Sequence, residues 1–322
     1  MAASATLPHA LLLRGPLGVG KLGFAQALSQ ALLCEAPQPG QGACGACSAC
    51  LWFEQGAHPD YRQIEPASAD TDSDEDPSEK KEGKKSSWIK IEQIRDLSDF
   101  VNISSHRGGV KTIVVHPAES LNANAANALL KSLEEPPPRV HFLLVTHRPH
   151  QLLPTIKSRC QHVAMRAPDT KAAAAWLEGQ GIGDTALALA HMGNAPLLAA
   201  ELAGTEYWGA RRAFLRQISA RDIDVLTAAE AVRDCPIPHV IAWLQKWSYD
   251  LVHYRVAARV RYNPDHAETL ARVAGTADAL STLRFHREMV NLQRIAQHPL
   301  NPRLFIEQVL LAYRALVQPA AG

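Results

Sequence analysis

The rhythm of apolar and polar positions changes once along this chain, near Ala167. Before that point, continuous apolar runs alternate with segments of helical spacing. His9-Ala-Leu-Leu-Leu-Arg14, Lys111-Thr-Ile-Val-Val-His116 and Val140-His-Phe-Leu-Leu-Val-Thr146 read as buried strands. Between them, Lys21–Leu33 carries Phe24, Ala27, Leu28, Ala31 and Leu32 at helical intervals. Ile91, Ile94, Leu97, Phe100 and Val101 repeat that spacing over Ile89–Ile103. Leu121, Ala125, Leu129 and Leu133 share a further helix face, with Ser120 as the expected N-cap and Pro136-Pro137-Pro138 as the stop. Strands alternating with helices predict an α/β layer with a largely parallel sheet.

After Ala167 the chain is rich in Ala, Leu and Arg, and no strand run stands out. Leu304, Val309, Leu310, Tyr313 and Leu316 predict one amphipathic helix. Trp243 and Trp247, four positions apart, read as a core stripe rather than a base-stacking platform. The expected organisation is an α/β domain over 1–167, a small helical domain over 168–207 and a larger helical domain over 208–322. Residues 66–87 hold no Val, Ile, Leu or aromatic side chain and many charges. Nothing there offsets ordering entropy, so the stretch is expected to be a disordered loop insertion; an acidic tether is the other reading.

Charge alters this picture little. Across 322 residues, 33 Lys and Arg nearly cancel 32 Asp and Glu. A formal charge of +1 gives no global reason to bind nucleic acid, but leaves room for a local basic surface or for a partner that holds DNA. Residues 205–322 carry 15 basic against 11 acidic side chains, a mild excess that reads as a solvated helix face. No apolar run approaches the ~18 residues of a membrane helix, and the first residues lack a basic signal region. The chain is expected to be cytoplasmic, with no membrane partner.

Four of six cysteines, Cys34, Cys44, Cys47 and Cys50, fall within one short segment. In a reducing compartment that clustering favours metal over disulfides. Four thiolates suit tetrahedral Zn²⁺ with no open position, a structural site; an iron–sulfur cluster or a redox pair is the alternative. His58 is a spare ligand or, as is more usual, a surface or capping histidine. Cys160 and Cys235 are expected to be buried as small apolar residues. The remaining histidines show no spacing that suggests a site.

Gly15-Pro-Leu-Gly-Val-Gly20-Lys21-Leu22 has the spacing of a phosphate loop, set between a strand and a helix. Its glycines Gly15, Gly18 and Gly20 would let backbone N–H groups turn toward phosphate, and Lys21 would reach it. The last position should be Ser or Thr to hold Mg²⁺, and here it is Leu22. Acidic residues should also end a second strand, and here His116-Pro117 stands there. Glu119, two positions later, is expected to complement a helix dipole. Two losses in one site argue against hydrolysis. The loop is expected to survive as a structural turn, or to retain residual nucleotide or phosphate binding through Lys21.

Leu133-Glu-Glu-Pro-Pro137, Asn124-Ala-Ala-Asn-Ala-Leu-Leu-Lys131 and Ser158-Arg159-Cys160 resemble the bacterial clamp-loader branch of the AAA+ ATPases. That resemblance implies a P-loop core with a parallel sheet and a zinc module at 34–50, a small helical lid and a C-terminal helical collar. It implies a non-hydrolysing subunit within a DNA-directed DNA polymerase holoenzyme. Arg159 would then be an arginine finger reaching the ATP of a neighbouring gamma/tau subunit; the alternative is that it pairs locally with a carboxylate. Delta and gamma/tau subunits would be direct partners, and the sliding clamp and primer-template DNA would be met through the complex. The family's arginine-sensor position is occupied by Pro196, and Thr146-His147 stands where a polar sensor would sit. Rival functions are an active ATPase motor subunit of the same loader and a zinc-dependent DNA-binding module.

Overall fold

A computed structural model describes residues 7–37, 40, 42–67, 88–106, 108–296 and 301–318. The insertion expected to be disordered lies outside these residues from position 68 to 87. The chain separates into two compact units, Met1–Ala167 and Pro168–Gly322. Among the described residues, no helix is long and apolar enough to cross a membrane.

The first unit runs β1 (Ala10–Arg14), α1 (Lys21–Leu33), α2 (Ser48–Glu54), β2 (Tyr61–Ile64), α3 (Ile91–Asn102) and β3 (Lys111–Val115). It continues through α4 (Ala123–Glu134), β4 (Val140–Thr146), α5 (Pro154–Arg159) and β5 (Gln161–Ala164). The strands form one sheet in the order β2-β3-β4-β1-β5, with every pair parallel. Ala10 lies opposite Phe142 and Leu13 opposite Val145, so β1 and β4 share a register along their length. β3 and β4 are buried at every position, because helices cover both sheet faces and water reaches neither.

The alternation of side chains sends Leu12, Ile113, Val115, Phe142 and Leu144 into one core, with Ile94 and Leu97 of α3 and Leu129 and Leu133 of α4. Leu11, Leu13, Val114, Leu143 and Val145 face the other way, toward Ala25 of α1. The N-cap of α4 is Asn122, whose side chain accepts the Ala125 N–H at 2.8 Å. Ser120, the expected cap, instead ends a 3₁₀ turn at Ala118–Ser120.

The second unit is helical: α6 (Thr170–Gly179), α7 (Thr185–His191), α8 (Pro196–Leu202), α9 (Tyr207–Ile218), α10 (Val225–Glu230), α11 (Ile237–Ala257), α12 (Ala267–Thr276), α13 (Ala279–Ile295) and α14 (Pro302–Val317). Trp243 and Trp247 are buried on α11, and the Trp247 indole donates to the Tyr313 hydroxyl at 2.8 Å. On α14, Ile306, Val309, Leu310, Tyr313 and Leu316 point inward, whereas Leu304, expected on the same face, is exposed.

Candidate functional site

The phosphate loop folds between β1 and α1, and each of its glycines has a local reason to be there. A Cβ on Gly15 would sit 2.0 Å from the Met165 carbonyl oxygen, so the close backbone approach after β5 excludes a side chain. Gly18 and Gly20 adopt φ of +76° and +91°, and Gly20 caps α1 in the left-handed region. Lys21 is buried and turned back on the loop. Its ammonium donates to the Gly15 carbonyl at 2.9 Å and to the Pro16 carbonyl. Burial draws its pKa down to about 8, with Glu119 opposing that shift. Leu22 is half-buried against the apolar side of the sheet beside Leu11, Leu13 and Ala25. The position that would hold Mg²⁺ in a working loop therefore packs against the core.

The ends of β3 and β4 carry imidazoles, His116 where an acidic ligand is missing and His147 at the sensor position. The Nε2 atoms of His116, after β3, and His147, after β4, lie 3.2 Å apart with their rings edge to face. His116 Nδ1 meets Glu65 Oε1 at 3.3 Å. Glu65 accepts from the Gln63 amide at 2.9 Å, and Gln63 in turn accepts from Tyr61 at 2.7 Å and Gln26 at 3.0 Å. Desolvation, then the Lys21 charge, pushes the His147 pKa down to about 4, so it is neutral near pH 7. Glu119 does not merely face a helix dipole: its carboxylate accepts the His147 backbone N–H at 3.0 and 3.3 Å. The sequence places His116, Glu119 and His147 at strand ends beside the loop but not against one another, since His147 lies far from the other two in the chain. The retrievable clue was a histidine at the C-terminal end of each of two adjacent parallel strands.

Arg159 is the last residue of α5, whose final turn packs beside α4. Its guanidinium pairs with Glu134 at the end of α4 and donates to the Thr155 carbonyl at 3.0 Å. The side chains are 32% and 48% exposed, so local pairing with a carboxylate is what this chain displays by itself. Cys160 beside it is buried, and burial pushes its thiol up to about 11. Cys235 is only half-buried, because it follows α10 in a short exposed turn. Pro196 opens α8 at a position where its missing N–H costs the helix nothing.

The four clustered cysteines converge, with all sulfurs within 4.8 Å of one another. Cys34 ends α1, and Cys47 caps α2 by accepting the Cys50 N–H at 3.5 Å. Cys34 accepts from the Cys44 N–H at 3.3 Å, and Cys44 from the Cys47 N–H at 3.4 Å. The sulfurs of Cys34 and Cys47 are 3.9 Å apart, those of Cys44 and Cys50 4.0 Å. A tetrahedral ion with Zn–S near 2.3 Å separates its ligands by roughly 3.8 Å, so the group has the dimensions to hold such a metal. Against a desolvation cost, N–H donors from Cys50 and Glu35 pull the Cys47 thiol down to about 6. Desolvation and the Cys47 sulfur push Cys50 up to about 12. His58 is outside the sulfur group. It is buried rather than on the surface, and its Nδ1 accepts the Asp60 N–H at 3.1 Å.

Comparison with known proteins agrees along the length of the chain. A family model described as DNA polymerase III, delta subunit, matches residues 1–169. Another, described as DNA polymerase III, delta subunit, C terminal, matches residues 205–314. DNA polymerase III subunit delta′ of Pseudomonas aeruginosa is 37% identical over 260 residues, spanning 77% of this chain and 73% of the relative. Subunit delta′ of Escherichia coli is 30% identical over 322 residues, 97% of this chain and 90% of the relative. DNA polymerase III subunit tau of Escherichia coli is 36% identical over 163 residues, 51% of this chain and 22% of tau.

Proposed function

The chain belongs to the delta′ family of DNA polymerase III subunits, and from that premise we propose that it is a non-hydrolysing member of the bacterial sliding-clamp loader. In this reading it packs beside gamma/tau and delta subunits and presents Arg159 to the ATP of a gamma/tau neighbour. The clamp and primer-template DNA are met through the complex. Residues 168–207 act as the lid and 208–322 as the collar. One observation carries the absence of hydrolysis: Lys21 is buried on its own loop carbonyls, while Leu22 and His116 stand where a working loop would have Mg²⁺ ligands.

A surface ion pair is worth roughly 0–1 kcal/mol, so exchanging Glu134 for a neighbour's phosphate costs Arg159 little. The test is a loader assembled from this chain with gamma/tau and delta subunits. ATP hydrolysis stimulated by clamp and primed DNA should require the chain and be unaltered, within about twofold, by Lys21→Ala. ATP turnover by the isolated chain, abolished by Lys21→Ala, would overturn the proposal in favour of a motor subunit.

We assign the cysteine group to structural Zn²⁺ held by Cys34, Cys44, Cys47 and Cys50. Bound there, the ion would tie the end of α1 to the start of α2 and supply no reaction chemistry. Cobalt substitution should give the absorption of a tetrahedral all-thiolate ion, and Cys47→Ser should abolish that spectrum. A spectrum with no sulfur charge-transfer band would exclude the assignment.

A further inference from the structure

We propose that His116 and His147 form a second metal site, built from imidazole, for a divalent transition-metal ion of the zinc, nickel or copper class. The inference does not depend on the loader reading. Their Nε2 atoms are 3.2 Å apart. Two ligands about 2.0–2.1 Å from one tetrahedral ion stand roughly 3.3 Å apart, so the spacing suits a shared ion, which would replace the proton that now lies between the two nitrogens. Imidazole suits zinc, nickel and copper, whereas the Mg²⁺ of a working phosphate loop asks for oxygen. The substitution at this strand end therefore changes which cation the edge of the sheet can select.

Around His116 the surroundings are those that a metal-bound histidine needs, whereas the buried Nδ1 of His147 has no hydrogen-bond partner among the described residues. His116 places its other nitrogen on Glu65, the carboxylate–histidine–metal arrangement that fixes the tautomer and raises ligand basicity. Glu65 is itself held by Gln63, which is braced by Tyr61 and Gln26. Glu119 fixes the backbone of His147 from the other side. The charges acting on His147 are those of Lys21, Arg148, His116 and Glu119, and Glu65 bears on His116, so two carboxylates balance two fixed cations. His116 keeps a fifth of its side chain exposed, which gives an ion a route in. Two protein ligands leave the remaining positions to water or to a small anion.

The experiment is a zinc count on the full chain by elemental analysis after gel filtration in micromolar free Zn²⁺. Two ions per chain are expected in the parent, falling to one in His116→Asn and in His147→Asn. Glu65→Gln should weaken the second ion by about 10-fold, the low end for loss of such a carboxylate. Cys47→Ser should remove a different equivalent, which separates the two sites. Should either histidine variant fold poorly, the parent alone suffices: Co²⁺ should shift the imidazole proton resonances of His116 and His147 together. One zinc per chain in the parent, a second ion that survives both histidine variants, or unmoved imidazole resonances would overturn the proposal.

Discussion

Replacing Arg159 by Ala in the reconstituted loader is expected to slow ATP hydrolysis at the adjoining gamma/tau site by ~10³–10⁵-fold, the worth of a finger supplied in trans in GTPases. The loss should fall on the chemical step. Guanidinium spreads charge off the γ-phosphate mainly as the transition state forms, so ATP affinity should change far less than the rate. Arg159→Lys should recover little, because an ammonium lacks the planar fork that engages two oxygens. Glu134→Gln supplies the complementary control. It removes the side chain's present ion-pair partner, and a finger that must leave Glu134 to act should lose nothing by it. The arginine is partly exposed at the end of a short helix, so Arg159→Ala should leave the melting temperature of the chain nearly unchanged. Single-turnover hydrolysis with a fluorescent phosphate sensor resolves the one affected site from the others. An unchanged rate with clamp and primed DNA present would remove the finger from the mechanism.

The parts of this molecule that were legible in the sequence are those governed by local spacing. The runs that became β1, β3 and β4 are mostly apolar because both sheet faces are covered. Lys21–Leu33 is a helix over the expected residues. The two edge strands escaped notice for the opposite reason. Tyr61–Ile64 and Gln161–Ala164 are four residues each and largely unburied, so they carry no apolar run. The cysteine group was readable because its four members lie close in sequence. The His116–His147 pair was not, since only the order β3-β4 within the sheet brings those strand ends together. Local spacing likewise could not tell that Ser120 yields its capping role to Asn122, because the intervening 3₁₀ turn shifts the helix start.

The second unit offers a large stability effect. Asp250→Ala is expected to destabilise it by about 3–5 kcal/mol, the cost of removing one member of a buried charged network. Asp250 on α11 has no solvent exposure. Its carboxylate accepts the backbone N–H groups of Arg261, Tyr262 and Asn263 at 2.8, 3.1 and 2.9 Å, and the Asn263 side-chain amide at 2.8 Å. Asn263 then accepts from Arg211 of α9 at 2.8 Å, and Arg211 grips Asp265 through two bonds of 2.7 and 2.9 Å. One carboxylate thus organises the connection that follows α11 and fixes it to α9. Truncation leaves the buried Asn263 N–H without an acceptor, at about 1–3 kcal/mol before relaxation, and hands the part-buried N–H groups of Arg261 and Tyr262 to water. Asp250→Asn should recover little. Each oxygen already faces at least two N–H groups, so an amide in either orientation turns its own NH₂ toward donors. Asp265→Ala should cost less, because that side chain is a quarter exposed and water can replace part of what it gives Arg211. Urea unfolding of the full chain, followed through Trp243 and Trp247 in the core of this unit, reads the difference directly. A midpoint for Asp250→Ala equal to that of the parent would mean that the connection after α11 finds its hydrogen bonds elsewhere.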